Sequence, residues 1–181
     1  MSLRNPSLSI CLAALAAASS GASALAAPPV KTSAGGNDGQ LQYTVKVDSK
    51  RYGASQETRK IRSGEIDDFN WKSVPPSGAV AMPDGCPDAD SAPRDANGAM
   101  VRQTQVRLAP AVDAKGVATV QVSFQARAPD GTASVTTGGK TLQCPKAVTV
   151  SEVRRVSIPI KGGAKTLVLR DGTRVTISIH P

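Results

Sequence analysis

Between Val117 and Ala126 the chain reads V-A-T-V-Q-V-S-F-Q-A, and its side chains alternate strictly. Ala118, Val120, Val122, Phe124 and Ala126 fall on one side; Thr119, Gln121, Ser123 and Gln125 fall on the other. Successive Cβ atoms of a strand point to opposite faces of a sheet, so a period of two marks a strand with one buried and one wet face. Pro129-Asp130-Gly131 follows and predicts a turn: Pro presets φ, Asp can bond its own backbone, and Gly supplies a positive φ. Thr132 to Thr137 is then expected to be a weakly apolar return strand, suited to an edge position, on a polar run that ends at Cys144.

The rest of the chain repeats this pattern. Leu41, Tyr43, Val45 and Val47 alternate with polar residues and predict a strand. Residues 51–62 are charged and fit a strand, a loop or a short helix equally. Asp68 to Val74 alternates again, with Phe69 and Trp71 on one face, until Pro75-Pro76-Ser77-Gly78 stops it. Val101 to Leu108 is another strand. Ala147 to Ile160 carries Val148, Val150, Val156, Ile158 and Ile160 at even spacing, and Val153 out of phase predicts a bulge or bend near Glu152 to Arg155. Lys161 to Ala164 is a turn. Leu167 and Leu169 face Val175, Ile177 and Ile179 across Asp171-Gly172, a hairpin signal.

Beyond the N-terminal segment no stretch has helical periodicity. Strands at this spacing predict an all-β domain of about seven to nine strands, either an antiparallel β-sandwich or a small barrel. It is immunoglobulin-like only in the loose sense. Trp71 precedes both downstream cysteines, and Leu142 stands where an immunoglobulin domain places a Tyr two residues before its second cysteine.

Residues 1–26 read as an export signal. Arg4 is the positive start, Leu8 to Ala18 a short apolar run, and Ala24-Leu25-Ala26 a small-x-small cleavage site. That run is too short to span a bilayer, and no later one is long enough. Cys11 lies inside it, after Ile10 and before any cleavage-like site, which is the wrong context for a lipid-bearing cysteine. Residues 27–40 read as a flexible linker, and 41–181 as a single β-rich domain with a long irregular loop at 75–99. The expected location is periplasmic or secreted, in a bacterium. Cys86 and Cys144 then remain in an oxidising compartment and are expected to pair. Chain entropy alone makes such a bond worth about 4 kcal/mol. Metal-binding thiols fit less well, since there is no C-x-x-C and no histidine near either cysteine.

His180 is the only histidine, one residue from the end, so ordinary Ser-His-Asp or Cys-His catalysis and histidine-based metal sites lack their parts. No P-loop, dinucleotide fingerprint or nucleophile elbow occurs. Glu65, Asp67 and Asp68 could supply paired carboxylates for hydrolysis of an envelope polysaccharide, against the simpler reading of a solvated acidic turn. Asp88, Asp90, Asp95 and Asn97 resemble pieces of a calcium loop, but Ala92 and Ala99 stand where further oxygen ligands are required. Trp71 and Phe69 could form an aromatic platform or anchor a core.

Charge is unevenly spread. Residues 27–64 carry a net +4, 65–95 a net −5 and 96–181 a net +8. An acidic loop thus sits between basic flanks. The candidate binding surface is Asp84, Asp88, Asp90 and Asp95 with Trp71, Arg154 and Arg155, and Arg170 and Arg174 are further candidates for a basic patch. The residues predict an exported, non-catalytic domain of the bacterial cell envelope with a binding, adaptor or structural role and no cofactor. Expected partners are another envelope protein or an anionic envelope polymer, with no nucleic acid and no membrane span. Two alternatives are the polysaccharide hydrolase and a secreted inhibitor or ligand-binding module that uses the 80–98 loop.

Overall fold

In the computed structural model, residues 39–180 are described. The expected signal, 1–26, and nearly all of the expected linker lie outside them. Eight strands form: β1 Gln40–Ser49, β2 Gly53–Arg62, β3 Asp67–Ser73, β4 Arg102–Val112, β5 Val117–Thr137, β6 Lys140–Pro159, β7 Gly163–Val168 and β8 Arg174–His180. They make two antiparallel four-stranded sheets, in the orders β2-β1-β8-β7 (sheet I) and β3-β4-β5-β6 (sheet II). The sheets do not close into a barrel. Sheet II is a meander in chain order, whereas sheet I joins its two terminal hairpins through β1 and β8.

The alternating residues meet between the sheets. Tyr43, Val45 and Val47 of β1 and Val175, Ile177 and Ile179 of β8 pack in one cluster with Phe69, Val106, Leu108, Val120, Val122 and Phe124 of sheet II. Each large side chain buried there contributes about 1.5–3 kcal/mol. Trp71 packs on the margin of this cluster against Phe69, ring centroids 6.0 Å apart. The strands expected at Leu41–Val47, Asp68–Val74, Val101–Leu108 and Val117–Ala126 are all present, with only Val74 and Val101 falling just outside them, as is the Asp171-Gly172 turn between β7 and β8. Asp171 secures that turn by accepting from the backbone N–H and the hydroxyl of Thr173.

Residues 51–62, indeterminate in sequence, are mostly strand β2, paired with β1 from Gly53 to Arg62. Its pattern was obscured because two of its inward positions are charged. Glu57 and Arg59 accompany Ile61 on that side, and Arg59 lies 4.7 Å from the centre of the Phe69 ring. Inward charge on an edge strand discourages pairing with a further chain.

Two local expectations are corrected. Pro129-Asp130-Gly131 does not reverse the chain; β5 runs through it to Thr137. The ladder slips there, so that Asp130 and Gly131 oppose Lys146 between the pairs Pro129↔Ala147 and Thr132↔Pro145. This is a bulge, and Gly131 takes its positive φ of 78° within a continuing strand. It turns Asp130 toward Arg51 of the β1–β2 turn, 3.1 Å away. The chain reverses instead at Gly138-Gly139, with φ of 57° and 77°. Thr132–Thr137 is therefore the far half of β5, and its partner begins at Lys140. The second correction concerns Glu152–Arg155, where the ladder with β5 continues without a shift. Val153 is 58% exposed on the outer face. Glu152 and Arg154 occupy the inward phase between Val150 and Val156, and they pair with each other.

Past the bulge, β5 and β6 project as an arm beyond the sandwich. Residues 74–101, between β3 and β4, fold back onto this arm. Met82, Cys86, Ala89, Met100 and Cys144 form a second buried cluster there, flanked by Ala92, Val135 and Leu142. Cys86 and Cys144 are joined, as expected, with Cα atoms 5.5 Å apart. Met100 pairs with both Val80 and Arg94 through isolated bridges. At Gly85 the fit is so close that an added Cβ would lie 2.7 Å from the Leu142 Cδ1.

Candidate functional site

The acids singled out in the sequence are each engaged separately. Asp68 accepts two hydrogen bonds from Arg107, at 2.8 and 2.9 Å, and one from Gln105. The Arg107 hydrogen bonds hold its carboxyl below the usual carboxylate range. Asp67 accepts from Arg59 at 2.8 Å, and Arg59 is also bound to Glu57. Glu65 accepts from the backbone N–H of Arg62, closing the β2–β3 turn. A glycosidase needs one protonated carboxyl beside a second carboxylate. Asp68, held in its ionised form, is poorly suited to donate a proton.

The loop acids also have structural duties. Asp88 lies 3.5 Å from Arg127, and Asp84 lies 3.7 Å from Arg94. Asp95 accepts from the backbone N–H groups of Asn97 and Ala99, forming a turn of its own. Asp90 is exposed. Among the described residues no three His, Cys, Asp or Glu side chains gather as a metal site. The expected basic patches divide as well. Arg154 takes the inward phase with Glu152, while Arg155 lies on the outer face, 3.5 Å from Gln121. Trp71 belongs to the margin of the core rather than to an exposed platform.

What the fold assembles instead is the outer face of sheet II. Strand register places Asn70, Gln105, Gln125 and Ser151 in one row across all four strands, and Lys72, Gln103, Arg127 and Thr149 in the next. These are the wet positions whose neighbours along each strand, such as Thr104, Val106, Phe124 and Ala126, fill the interior. A groove of about 360 Å³ lies over Gln103, Gln105, Gln125, Arg127, Thr149 and Ser151.

The groove is set at the foot of the tethered loop. Arg127 donates to the backbone carbonyl of Ser91 at 3.1 Å and to its hydroxyl at 3.2 Å, and Asp88 pairs with it from the same loop. The disulfide is two residues from Asp88 and fixes the loop at this distance from the sheet. Arg127 is thus neutralised and pinned, just as Asp68 neutralises Arg107 farther along the same face. Gln103 donates to Asn70 at 3.1 Å and Gln105 donates to Asp68 at 3.3 Å, which fixes the orientation of both amides. Among the described residues the Gln125 amide and the Thr149 and Ser151 hydroxyls have no hydrogen-bond partner. The result is an almost uncharged array of donors and acceptors, held in place at Gln103, Gln105 and Arg127 and unengaged at Gln125, Thr149 and Ser151.

Two other hollows differ in kind. One, of about 570 Å³, lies between the β1–β2 and β7–β8 turns, where Ser49, Asp171 and Thr173 are bonded to one another. Another, of about 320 Å³, borders the disulfide.

None of the groove amides or hydroxyls was apparent in sequence as anything but a strand's wet side. The available signal was the recurrence of glutamine at even spacing on the wet side of two strands: Gln103 and Gln105, then Gln121 and Gln125.

The chain matches, over residues 1–181, the model of a family of unknown function, DUF6013. No curated protein and no solved structure matches it. The chain belongs to that family.

Proposed function

We propose that this family member is an exported, non-catalytic recognition domain of the bacterial cell envelope, acting through the outer face of sheet II beside its disulfide-tethered loop. The observation that carries this reading is the groove itself. Gln103 and Gln105 are oriented by neighbours, Arg127 is neutralised, and one edge is formed by a loop anchored covalently to the arm. Preorganised side chains lose less entropy on binding, which is how a rigid sheet becomes a recognition surface. The disulfide suits an oxidising compartment, and the apolar N-terminal run suits export. The loop joins this reading as the wall of the site, with Asp88 and Ser91 as its contacts to the sheet.

The test is site-directed photo-crosslinking in the native envelope. A photoreactive residue at Gln125 or Ser151 is expected to give a saturable, specific adduct. The same residue at Lys60, exposed on strand β2, is expected to give none. Equal labelling from both positions, or none from either, contradicts the proposal.

A further inference from the structure

We infer that the groove on sheet II takes a neutral glycan segment rich in hydroxyl and amide groups. This rests on the recognition reading and names its ligand class.

The chemistry of the lining selects among polymers. Side-chain amides and hydroxyls each donate and accept, so they match a ligand whose own groups do the same. Sugar hydroxyls and acetamido groups have that property along their whole length. The rows of the sheet repeat every 4.7–4.9 Å between strands, by the ordinary geometry of sheets. That spacing is of the order of one pyranose ring. A chain of sugars lying across β4, β5 and β6 would meet Gln105, Gln125 and Ser151 in turn, which the register places in one row.

Other occupants lack a matching feature. A peptide that binds as an added strand needs an open sheet edge. The groove floor is β4, β5 and β6; β4 and β5 are hydrogen-bonded on both sides along these rows, which leaves only the outer side of β6 open, away from Gln105 and Gln125. A folded protein partner wants a buried aromatic or aliphatic anchor. Trp71, the only tryptophan, packs toward the core on the other side of the sheet, and Val153, the exposed apolar residue on the outer face, lies one row beyond the groove and outside its lining. An anionic polymer wants a cluster of unpaired cations, yet Arg127 is held by Asp88 and Arg107 by Asp68, which leaves Lys72, bonded to the backbone carbonyl of Arg94, at the margin of the groove. Lacking a stacking ring, the site is a weak one for any single sugar, with a dissociation constant on the order of 1 mM for a short oligosaccharide.

The experiment is an NMR titration of the disulfide-intact protein that follows the side-chain amide signals of Gln103, Gln105 and Gln125. The probes are an N-acetylglucosamine tetramer, a neutral glucose tetramer and a galacturonate trimer, each to about 20 mM. Either neutral tetramer is expected to shift the Gln105 and Gln125 signals saturably, and Gln125→Ala with Gln105→Ala should weaken that binding by about tenfold or more. The galacturonate trimer should bind at least tenfold more weakly than the better neutral probe. Both substitutions are on the wet face, and an unchanged thermal midpoint verifies that the variant is folded.

Preferential binding of galacturonate, lost on adding salt, overturns the neutral-glycan assignment. So does an absence of shifts with all three probes. In that second case the photo-crosslink from Gln125 separates the two proposals. If the adduct persists, the recognition reading stands and its ligand is not a glycan; if it is absent too, both fail.

Discussion

The space between the two sheets and the rim formed by the arm and its loop are both lined with apolar side chains, yet they hold together by different means. Among the described residues, nineteen buried side chains form the interior, and they come from both sheets at alternating positions. The rim cluster has five, two of which are the bonded cysteines. Apolar burial in the interior suffices to oppose the entropy of ordering the strands. In the rim it does not suffice, and a covalent link supplements it. The rim borders the groove through the contacts of Asp88 and Ser91 with Arg127.

The largest expected effect is on the interior. Phe124 is 1% exposed and touches Tyr52 edge-on at a centroid distance of 6.4 Å. Phe124→Ala should cost about 3–5 kcal/mol in urea unfolding. A loss below about 1 kcal/mol would show that sheet packing is not what holds the domain. Next comes the rim. Removing both cysteines by Cys86→Ser and Cys144→Ser should cost up to about 4 kcal/mol and lower the thermal midpoint, because the bond closes a sequence separation of 58 residues. An unchanged midpoint would mean the loop is held by its other contacts alone.

A smaller effect of opposite sign is expected at Tyr43. Among the described residues its buried hydroxyl has no hydrogen-bond partner, and burial pushes its pKa up to about 12. Tyr43→Phe removes the unmet polar group and should be neutral or stabilising by about 1 kcal/mol in the same urea measurement. A clear loss of stability would reveal a partner for that hydroxyl.

The smallest effect is at the exposed Asp68–Arg107 pair, and it depends on pH. Asp68 has a depressed folded pKa, chiefly through its hydrogen bonds to Arg107. Its contribution is therefore complete above about pH 4, the unfolded carboxylate range, and is lost as the pH falls through the folded value. The urea midpoint of the wild type should exceed that of Asp68→Asn at neutral pH, with the gap shrinking on acidification. A gap that stayed constant down to about pH 2 would exclude ionisation of Asp68 as its cause.

The same contrast explains what was legible in sequence. Strands such as β1 and the first half of β5 could be read because one face is wholly apolar, from Tyr43 to Val47 and from Ala118 to Ala126. Strand β2 could not, because Glu57 and Arg59 stand at inward positions and disguise the period. The arm was misread for a related reason. A Pro-Asp-Gly bulge and a Pro-Asp-Gly turn use the same positive φ at glycine, and only long-range pairing separates them. Beyond the bulge the side chains are largely polar on both faces, so hydrophobic pattern does not fix the register. The disulfide followed from cysteine number and the expected compartment, whereas its neighbours Met82 and Met100 carried no signal. The groove was hidden because it arises from strand order: Gln105 and Gln125 become neighbours only once β4 lies beside β5.

Native-state hydrogen exchange, compared between the wild type and the Cys86→Ser, Cys144→Ser variant, tests most directly whether the rim depends on its covalent link and the interior does not. The expected result is selective loss. Amides of Thr132–Thr137 and Lys140–Cys144 should exchange at least about a hundredfold faster in the variant than its drop in global stability accounts for, while those of β1 and β8 should accelerate by no more than that drop. A uniform loss of protection through arm and sandwich alike would contradict it, because the molecule would then be one cooperative unit with no separately tethered rim.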